Sequence, residues 1–193
     1  MNNSPDEDLM LGVRNGTADM LGVLFDRYHA PLFSFYCKST GDPAASEDLV
    51  QDVFYRILKY RHTYRPGTVF RTWMYRIARN ARLDGFKKQT AEERLEAPTA
   101  VAVDPPLDLE RKQEEALLRR ALMRLSDEKR EVLLLSRFQE LSYQEIAQVL
   151  GCEVGAVKVR VFRALRDLGD ILRQLEGETI IPSESPGPIR RVK

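Results

Sequence analysis

Apolar residues recur every three or four positions through most of the chain, which is the spacing of amphipathic helices. In the first half this pattern predicts helices near Pro5–Asn15, Met20–Ser39, Pro43–Tyr60 and Phe70–Lys88. In the second half it predicts helices near Glu114–Leu125, Asp127–Phe138, Tyr143–Leu150 and Val154–Leu175. No segment shows the alternation that is typical of a strand. The sequence therefore predicts an all-α protein with two small helical domains.

Composition changes between and after these two groups of helices. Residues 90–112 are rich in alanine, proline and acidic residues, which predicts a flexible and partly extended linker. The first domain would then occupy residues 1–89 and the second residues 113–176. Residues 177–193 contain three prolines and predict a disordered tail.

The overall charge of the 193 residues is only +1, yet it is unevenly distributed. Residues 89–115 hold three basic and eight acidic groups, so the two helical regions on either side are mildly basic. No apolar run is long enough to span a bilayer, and the polar, acidic N-terminus is unlike a secretory signal, so we expect a cytoplasmic protein.

Few residue types suited to metal binding or catalysis are present. The chain has two cysteines and two histidines, and none of them has the close spacing of metal ligands. No phosphate-binding loop or catalytic triad can be recognised. The sequence therefore predicts neither a metal nor a cofactor, and no enzymatic activity.

The segment from Ser142 to Leu168 has the most specific pattern. Ser142 and Glu145 predict a capping box at the start of a short helix, and Gly151 predicts its end in a left-handed turn. The small Ala147 permits a close crossing by the next helix, whose apolar stripe is Val154, Val157, Val161, Ala164, Leu165 and Leu168. Its outer face carries Lys158, Arg160, Phe162, Arg163 and Arg166.

Two helices that meet at a tight turn, the second with a basic outer face, are typical of a helix-turn-helix that reads duplex DNA. Arginines one turn apart suit the major groove, where a guanidinium can bond guanine through two nitrogens. The alternative is a solvated charged face on an ordinary helical hairpin. The cap, the small residue, the glycine and the basic face together favour DNA binding.

Residues 54–88 give a second indication of nucleic-acid binding. They hold ten basic residues, one acid and eight of the sixteen aromatic residues. Cations can follow a phosphate backbone while rings stack on unpaired bases, so this mixture predicts a surface for single-stranded DNA. Phe54, Phe70 and Trp73 fall on apolar stripes and are expected in the core. The expected strand contacts are Tyr64, Tyr75, Arg76, Arg79, Asn80, Lys87 and Lys88.

The helix before this segment has an acidic and polar edge. Glu47, Asp48, Gln51 and Asp52 lie on it, beside Leu49 and Phe54. This edge is either a solvated face or a surface that docks a basic protein helix.

Three blocks of residues resemble a known family. Residues 46–57 read SEDLVQDVFYRI, residues 70–84 read FRTWMYRIARNARLD, and residues 125–168 contain the helix-turn-helix. In this order they resemble bacterial RNA polymerase sigma factors of the sigma-70 family, in its extracytoplasmic-function (ECF) group. The resemblance covers about residues 9–88 and 113–175.

The resemblance implies partners and roles. Core RNA polymerase would be bound through its clamp helices and its flap, and the clamp would contact Asp48, Leu49, Gln51, Asp52 and Phe54. The loop 62–72 would hold a flipped base of the −10 promoter element, and the helix-turn-helix would bind the −35 element. The linker would thread through the polymerase. An anti-sigma factor is the expected inhibitor.

The chain departs from the family at the second helix of the helix-turn-helix. Family members usually have Gly-Thr-Val-Lys-Ser-Arg, where this chain has Ala156 and Val159 in place of the two hydroxyl residues. The promoter sequence therefore does not transfer from relatives. Two other functions stay open: a helix-turn-helix repressor or activator that acts without core polymerase, and a protein-interaction adaptor built from helical hairpins.

Overall fold

The computed structural model describes residues 4–92 and 109–180, with side chains for 4–85 and 113–177. All regular structure in these ranges is helical, which confirms the all-α prediction. The first domain contains α1 (Asp6–Arg14), α2 (Asp19–Thr40), α3 (Pro43–Lys59), a 3₁₀ turn (Arg61–Thr63) and α4 (Phe70–Glu92). The second contains α5 (Leu109–Arg124), α6 (Asp127–Leu133), a π-helical segment (Leu134–Phe138), α7 (Tyr143–Leu150) and α8 (Val154–Ile180).

Local residues set several of the helix ends. Gly41 ends α2 with a left-handed φ of 78°, a backbone conformation that glycine adopts without steric cost. The Asp42 side chain then accepts the N–H groups of Ala44 at 2.9 Å and Ala45 at 3.1 Å, with Pro43 at the first position of α3. Ser126 precedes α6 as expected, but its side chain makes no capping bond.

Three predicted boundaries need correction. Helix α4 continues to Glu92 and α5 begins at Leu109, so both ends of the predicted 90–112 linker are helical. Helix α8 continues to Ile180, so residues 177–180 are helical and not part of a disordered tail. The helices extend because the prolines that disfavour them begin only at Pro98 and Pro182. Predictions for 93–108 and 181–193 lie outside the described residues.

Each domain buries its predicted apolar stripes. In the first, α2, α3 and α4 enclose residues with no more than 1% exposure, such as Leu32, Ile57 and Met74. In the second, α6, α7 and α8 enclose Val132, Ile146 and Val157, which have no exposure. Leu165 was expected inside but is 38% exposed, because Val161 and Ala164 face the core and Leu165 lies at the edge of the stripe.

The two domains pack against each other in the described part of the chain. Helix α4 contacts α7, while α2 contacts α5, α6 and the π-helical segment. Polar bonds cross the interface as well. Arg82 pairs with Glu131 at 3.0 Å, and Arg130 donates to the carbonyl of Ser39 at 2.7 Å. Part of the α4 face that was expected to bind single-stranded DNA, namely Tyr75 and Arg79, therefore contacts the second domain.

Candidate nucleic-acid interface

The predicted helix-turn-helix has the expected local geometry. The Ser142 hydroxyl accepts the N–H of Glu145 at 3.3 Å, and the Glu145 carboxylate accepts the N–H of Ser142 at 2.8 Å, which completes the capping box. Gly151 ends α7 with a φ of 66°, and Cys152 donates to the carbonyl of Ala147 at 3.0 Å. These bonds fix the angle at which α8 leaves the turn.

Helix α8 presents a basic face to solvent. Val157, Val161 and Ala164 are buried and anchor the helix to the second domain. The opposite face exposes all the predicted contacts to the −35 element, namely Lys158, Arg160, Phe162, Arg163 and Arg166. Phe162 is 69% exposed and Val159 is 47% exposed, so this face also carries apolar surface between its cations.

A salt bridge supports α8 from behind. Lys129 of α6 bonds to the carboxylate of Asp167, which lowers the pKa of Asp167. Arg166, the next residue along, lies 3.6 Å from the same carboxylate and keeps 66% of its side chain exposed. Its guanidinium thus remains available on the outer face.

The predicted strand contacts on α4 divide into open and covered residues. Arg76 and Asn80 are exposed. Arg79 is half-buried and pairs with Glu131 of the second domain at 3.2 Å. Lys87 and Lys88 lie on α4, but their side chains are outside the described residues.

Tyr64 was expected to be free for base contact, and this prediction is wrong. Its ring is 1% exposed and packs edge-on against Trp73, with 5.2 Å between ring centroids. Its hydroxyl donates to the carbonyl of Thr68 at 2.5 Å. Burial, with a smaller contribution from Glu7, raises the pKa of Tyr64 to about 12. The loop position is evident in the sequence, but the inward direction of the ring depends on tertiary packing.

Tyr75 is buried by residues of both domains, and its ring packs edge-on against Phe35 of α2 with 5.7 Å between the ring centroids. Its ring is 1% exposed, and its hydroxyl donates to the side-chain oxygen of Gln139. Burial raises the pKa of the Tyr75 hydroxyl, and the nearby Arg71 partly opposes this. The expectation of an open Tyr75 therefore fails in this arrangement. Sequence reasoning also missed Arg71, whose guanidinium donates to the Gln139 carbonyl.

The acidic edge of α3 faces outward in part. Asp48 and Gln51 are exposed, whereas Leu49 is half-buried and its side chain approaches Gly85. Asp52 accepts from Arg56 at 2.9 Å, and Arg56 also reaches Asp84 at 2.7 Å.

Phe54, which the resemblance assigned to polymerase contact, is only 7% exposed. It packs against Phe25, with 4.8 Å between the ring centroids, so most of its surface is used inside the domain. Tyr55 and Leu58, on the same helix, are 62% and 40% exposed and were not singled out from the sequence. Exposed apolar surface next to an acidic edge could have identified them.

The described part of the chain contains neither a cluster of metal ligands nor a membrane-spanning helix. Among its residues, no group of three or more His, Cys, Asp or Glu side chains is placed to hold a metal ion. None of the described helices combines the length and apolar character that crossing a membrane requires.

Comparison with known proteins gives matches in both domains. The family description "Sigma-70 region 2" matches residues 24–92, and "Sigma-70, region 4" matches residues 115–168. The RNA polymerase sigma factor YlaC of Bacillus subtilis is 30% identical over 156 residues, which are 78% of this chain and 90% of YlaC. The RNA polymerase sigma factor CarQ of Myxococcus xanthus is 31% identical over 175 residues, covering 86% of this chain and 96% of CarQ.

Solved structures agree with these matches. CnrH, in complex with the cytosolic domain of CnrY, has a TM-score of 0.69 and 26% identity, and the match covers 88% of this chain and 97% of CnrH. RpoE of Bartonella quintana, in complex with the anti-sigma factor NepR, has a TM-score of 0.64 and 25% identity, with 78% and 96% covered.

Proposed function

Because this chain belongs to the sigma-70 family, as a sigma factor of the ECF group, we propose that its domains divide promoter recognition between them. The protein is a transcription initiation factor that binds core RNA polymerase, directs it to specific promoters and promotes DNA melting. The first domain, ending with α4, would bind the polymerase and the −10 element. The second domain, beginning with α5, would bind the −35 element.

The basic face of α8 is the observation that supports binding of the −35 element by the second domain. Lys158, Arg163 and Arg166 are exposed on one side of a helix whose other side is anchored in the core. The capping box and the left-handed Gly151 hold this helix at a fixed angle to α7. A rigid helix with cations and apolar groups on its free face can contact phosphates, guanine edges and thymine methyl groups in a major groove.

The polymerase-binding role rests on the open part of α3. Asp48, Gln51 and Leu49 lie on one edge of it, and Tyr55 and Leu58 add exposed apolar area. Such a surface complements a basic amphipathic helix of the polymerase clamp. We retain the three edge residues and Asp52 in the proposed contact set, and we assign Phe54 to the packing of the first domain.

Strand capture is assigned to α4 and the loop before it. Arg76 and Asn80 are exposed, and Arg79 lies next to them. The loop residues Arg61, His62 and Arg65 are exposed as well. A flipped base would be held in this loop, while the α4 cations follow the phosphates.

The proposed contacts with polymerase and with both promoter elements require binding alone. We therefore propose that the protein is no enzyme and needs no cofactor.

Regulation and location follow the family. Both structural relatives described above were solved with a bound protein partner, and NepR is an anti-sigma factor. We therefore propose that this chain also has an anti-sigma partner and acts in the cytoplasm, where its polymerase is found.

Transcription reconstituted with purified core polymerase on fragments of the host genome tests this function. We expect transcripts to start at a small set of sites, and only when both proteins are present. Arg163→Ala and Arg166→Ala should each weaken −35 binding by about 1–3 kcal/mol. Arg173→Ala is the matched control, because Arg173 lies on the same helix with 75% of its side chain exposed.

Two results would refute the proposal: no binding to core polymerase, or initiation without preference for any site. Tight binding to duplex DNA as a dimer on a palindrome, with no need for polymerase, would instead support a repressor or activator.

A further inference from the structure

The start of α4 is held by a residue of α1, which is distant in the sequence. Val69, the residue before α4, has an apolar side chain and cannot accept a hydrogen bond from the first turn of the helix. The Glu7 carboxylate takes this role and accepts the N–H of Phe70 at 3.1 Å, across 63 positions of the chain. A helix is more commonly capped by the residue that directly precedes it. The first turn of α4 therefore depends on the placement of α1.

Helix α1 is fixed firmly enough to supply this cap. Leu9 and Met10 are at most 1% exposed and anchor its inner face in the core of the first domain. Asp6 accepts a hydrogen bond from the Tyr28 hydroxyl of α2. Glu7 follows directly and is half-buried. These contacts hold the Glu7 carboxylate against the domain and limit its freedom to turn towards solvent.

Glu7 also lies close to the loop that would hold the −10 base. Helix α1 contacts the 3₁₀ turn Arg61–Thr63, where this loop begins. Burial first, and then the charge of Glu7, raises the pKa of Tyr64 to about 12. The Tyr64 hydroxyl in turn donates to the carbonyl of Thr68 at 2.5 Å. The first helix therefore supports the loop at its beginning and, through Phe70, at its end.

Open side chains lie between and beyond these supports. Val69 is 45% exposed, Arg65 is exposed in the loop, and Arg76 is exposed further along α4. Their relative positions depend on where α4 begins, because the loop runs directly into its first turn. A first turn without a cap leaves its N–H groups without acceptors and frays. Fraying at Phe70 would displace the loop relative to the cations of α4.

We propose that Glu7 is a positioning residue for capture of the −10 base, acting through the N–H of Phe70 on the loop 62–72. The inference rests on the base-holding role proposed above for this loop. It also gives a function to α1, which precedes the "Sigma-70 region 2" match at residues 24–92. Polymerase binding through α3 and duplex binding through α8 use other surfaces, so neither should depend on Glu7.

Substitutions at Glu7 separate the cap from the charge. Glu7→Ala removes both, Glu7→Gln keeps a side-chain oxygen that can accept from Phe70, and Glu7→Asp keeps the charge but withdraws the carboxylate by one methylene. Asp8→Ala is the matched control, because Asp8 is exposed in the same turn of α1. Hydrogen exchange over residues 62–72 of the full chain, followed by mass spectrometry, reports the cap itself. We expect several-fold faster exchange in Glu7→Ala and Glu7→Asp, and parental exchange in Glu7→Gln and Asp8→Ala.

Base capture is measured with a forked DNA whose −10 strand is unpaired, taken from a promoter that the transcription assay above locates. The complex with core polymerase is titrated with the intact strand and with strands that each lack one base. At the captured position we expect the parent chain to lose about tenfold in affinity when the base is removed. This ratio should fall to about twofold in Glu7→Ala and Glu7→Asp and keep its parental value in Glu7→Gln and Asp8→Ala. A general loss of stability would lower both affinities and leave their ratio unchanged.

The inference is overturned if Glu7→Ala keeps the ratio of Asp8→Ala, and Glu7→Asp decides in the same way if Glu7→Ala does not fold. A parent chain with no base-dependent position would instead remove the base-holding role of the loop, and the role of Glu7 with it. Binding of core polymerase and of the −35 duplex is measured in parallel. Its loss in Glu7→Ala would also count against the inference, because it would reveal a general defect.

Discussion

Arg130 offers a quantitative test of how the two domains are held. Its guanidinium donates to the carbonyls of Leu122 at 2.9 Å, Leu125 at 2.9 Å, Met123 at 3.3 Å and Ser39 at 2.7 Å. The first three are at the end of α5, and the last is near the end of α2 in the other domain. One cation thus satisfies the carbonyl ends of two helices.

The effect of Arg130→Met can be worked out from these bonds. Burial desolvates the guanidinium, and this penalty lowers the pKa of Arg130. Arg130→Met removes the penalty together with the hydrogen bonds, so the net loss of stability is smaller than the sum of the bonds. Leu122 keeps a second donor, the N–H of Leu125 at 3.1 Å. The loss therefore falls on the buried carbonyls of Ser39 and Leu125, at about 1–3 kcal/mol each. We expect the free energy of unfolding to fall by about 3 kcal/mol.

Urea denaturation followed by circular dichroism measures this change. Arg137→Met is the matched control, because Arg137 is exposed on the π-helical segment and its loss should cost less than about 0.5 kcal/mol. Arg130→Lys keeps the charge but not the fork of donors, so it should fall between the two. If Arg130→Met unfolds within about 0.5 kcal/mol of Arg137→Met, the carbonyls are satisfied in another way and the reasoning is refuted.

Two further predictions concern the cap of α7 and the pH dependence of the first domain. Ser142→Ala removes one half of the capping box and should cost about 1 kcal/mol in the same denaturation assay, whereas the exposed Gln144→Ala should be nearly neutral. The pKa of Tyr64 is raised from 10.0 to about 12, so the folded state favours the neutral phenol. Its contribution to stability is complete below pH 10.0 and is lost as the pH rises towards 12. Ultraviolet titration of the tyrosines should therefore show an amplitude of one phenolate near pH 12 that is missing in Tyr64→Phe. If the parent chain and Tyr64→Phe titrate alike near this pH, the burial of this ring is contradicted.

The helix-turn-helix could be predicted almost to the residue because its determinants are local. Ser142 and Glu145 are three positions apart, Gly151 lies at the other end of the same short helix, and helical spacing sorts the faces of α8. The same reasoning placed Phe70 and Trp73 in the core, where they are 0% and 5% exposed. Local signals of this kind act within a few residues and need no knowledge of the tertiary structure.

The covered face of α4 could not be predicted, because its partners are distant in sequence. Tyr75 and Gln139 are 64 positions apart, and Arg82 and Glu131 are 49 apart. A helical wheel places Tyr75 outside the main apolar stripe, but it cannot show that Phe35 of α2 and Gln139 of the second domain together bury this residue. For Phe54 the local pattern was the better guide. Its position on an apolar stripe predicted burial, whereas the resemblance implied contact with polymerase, and the residue is 7% exposed.

Tyr64 has a consequence beyond its loss as a base contact. Its hydroxyl is bonded to Thr68 and its ring is packed against Trp73, so the loop between them is closed on itself before any DNA arrives. The conformational entropy of ordering this loop is then lost when the protein folds and not when a base enters. A ligand site prepared in this way can hold a single unpaired base with few contacts, because little of the binding energy is used to shape the site.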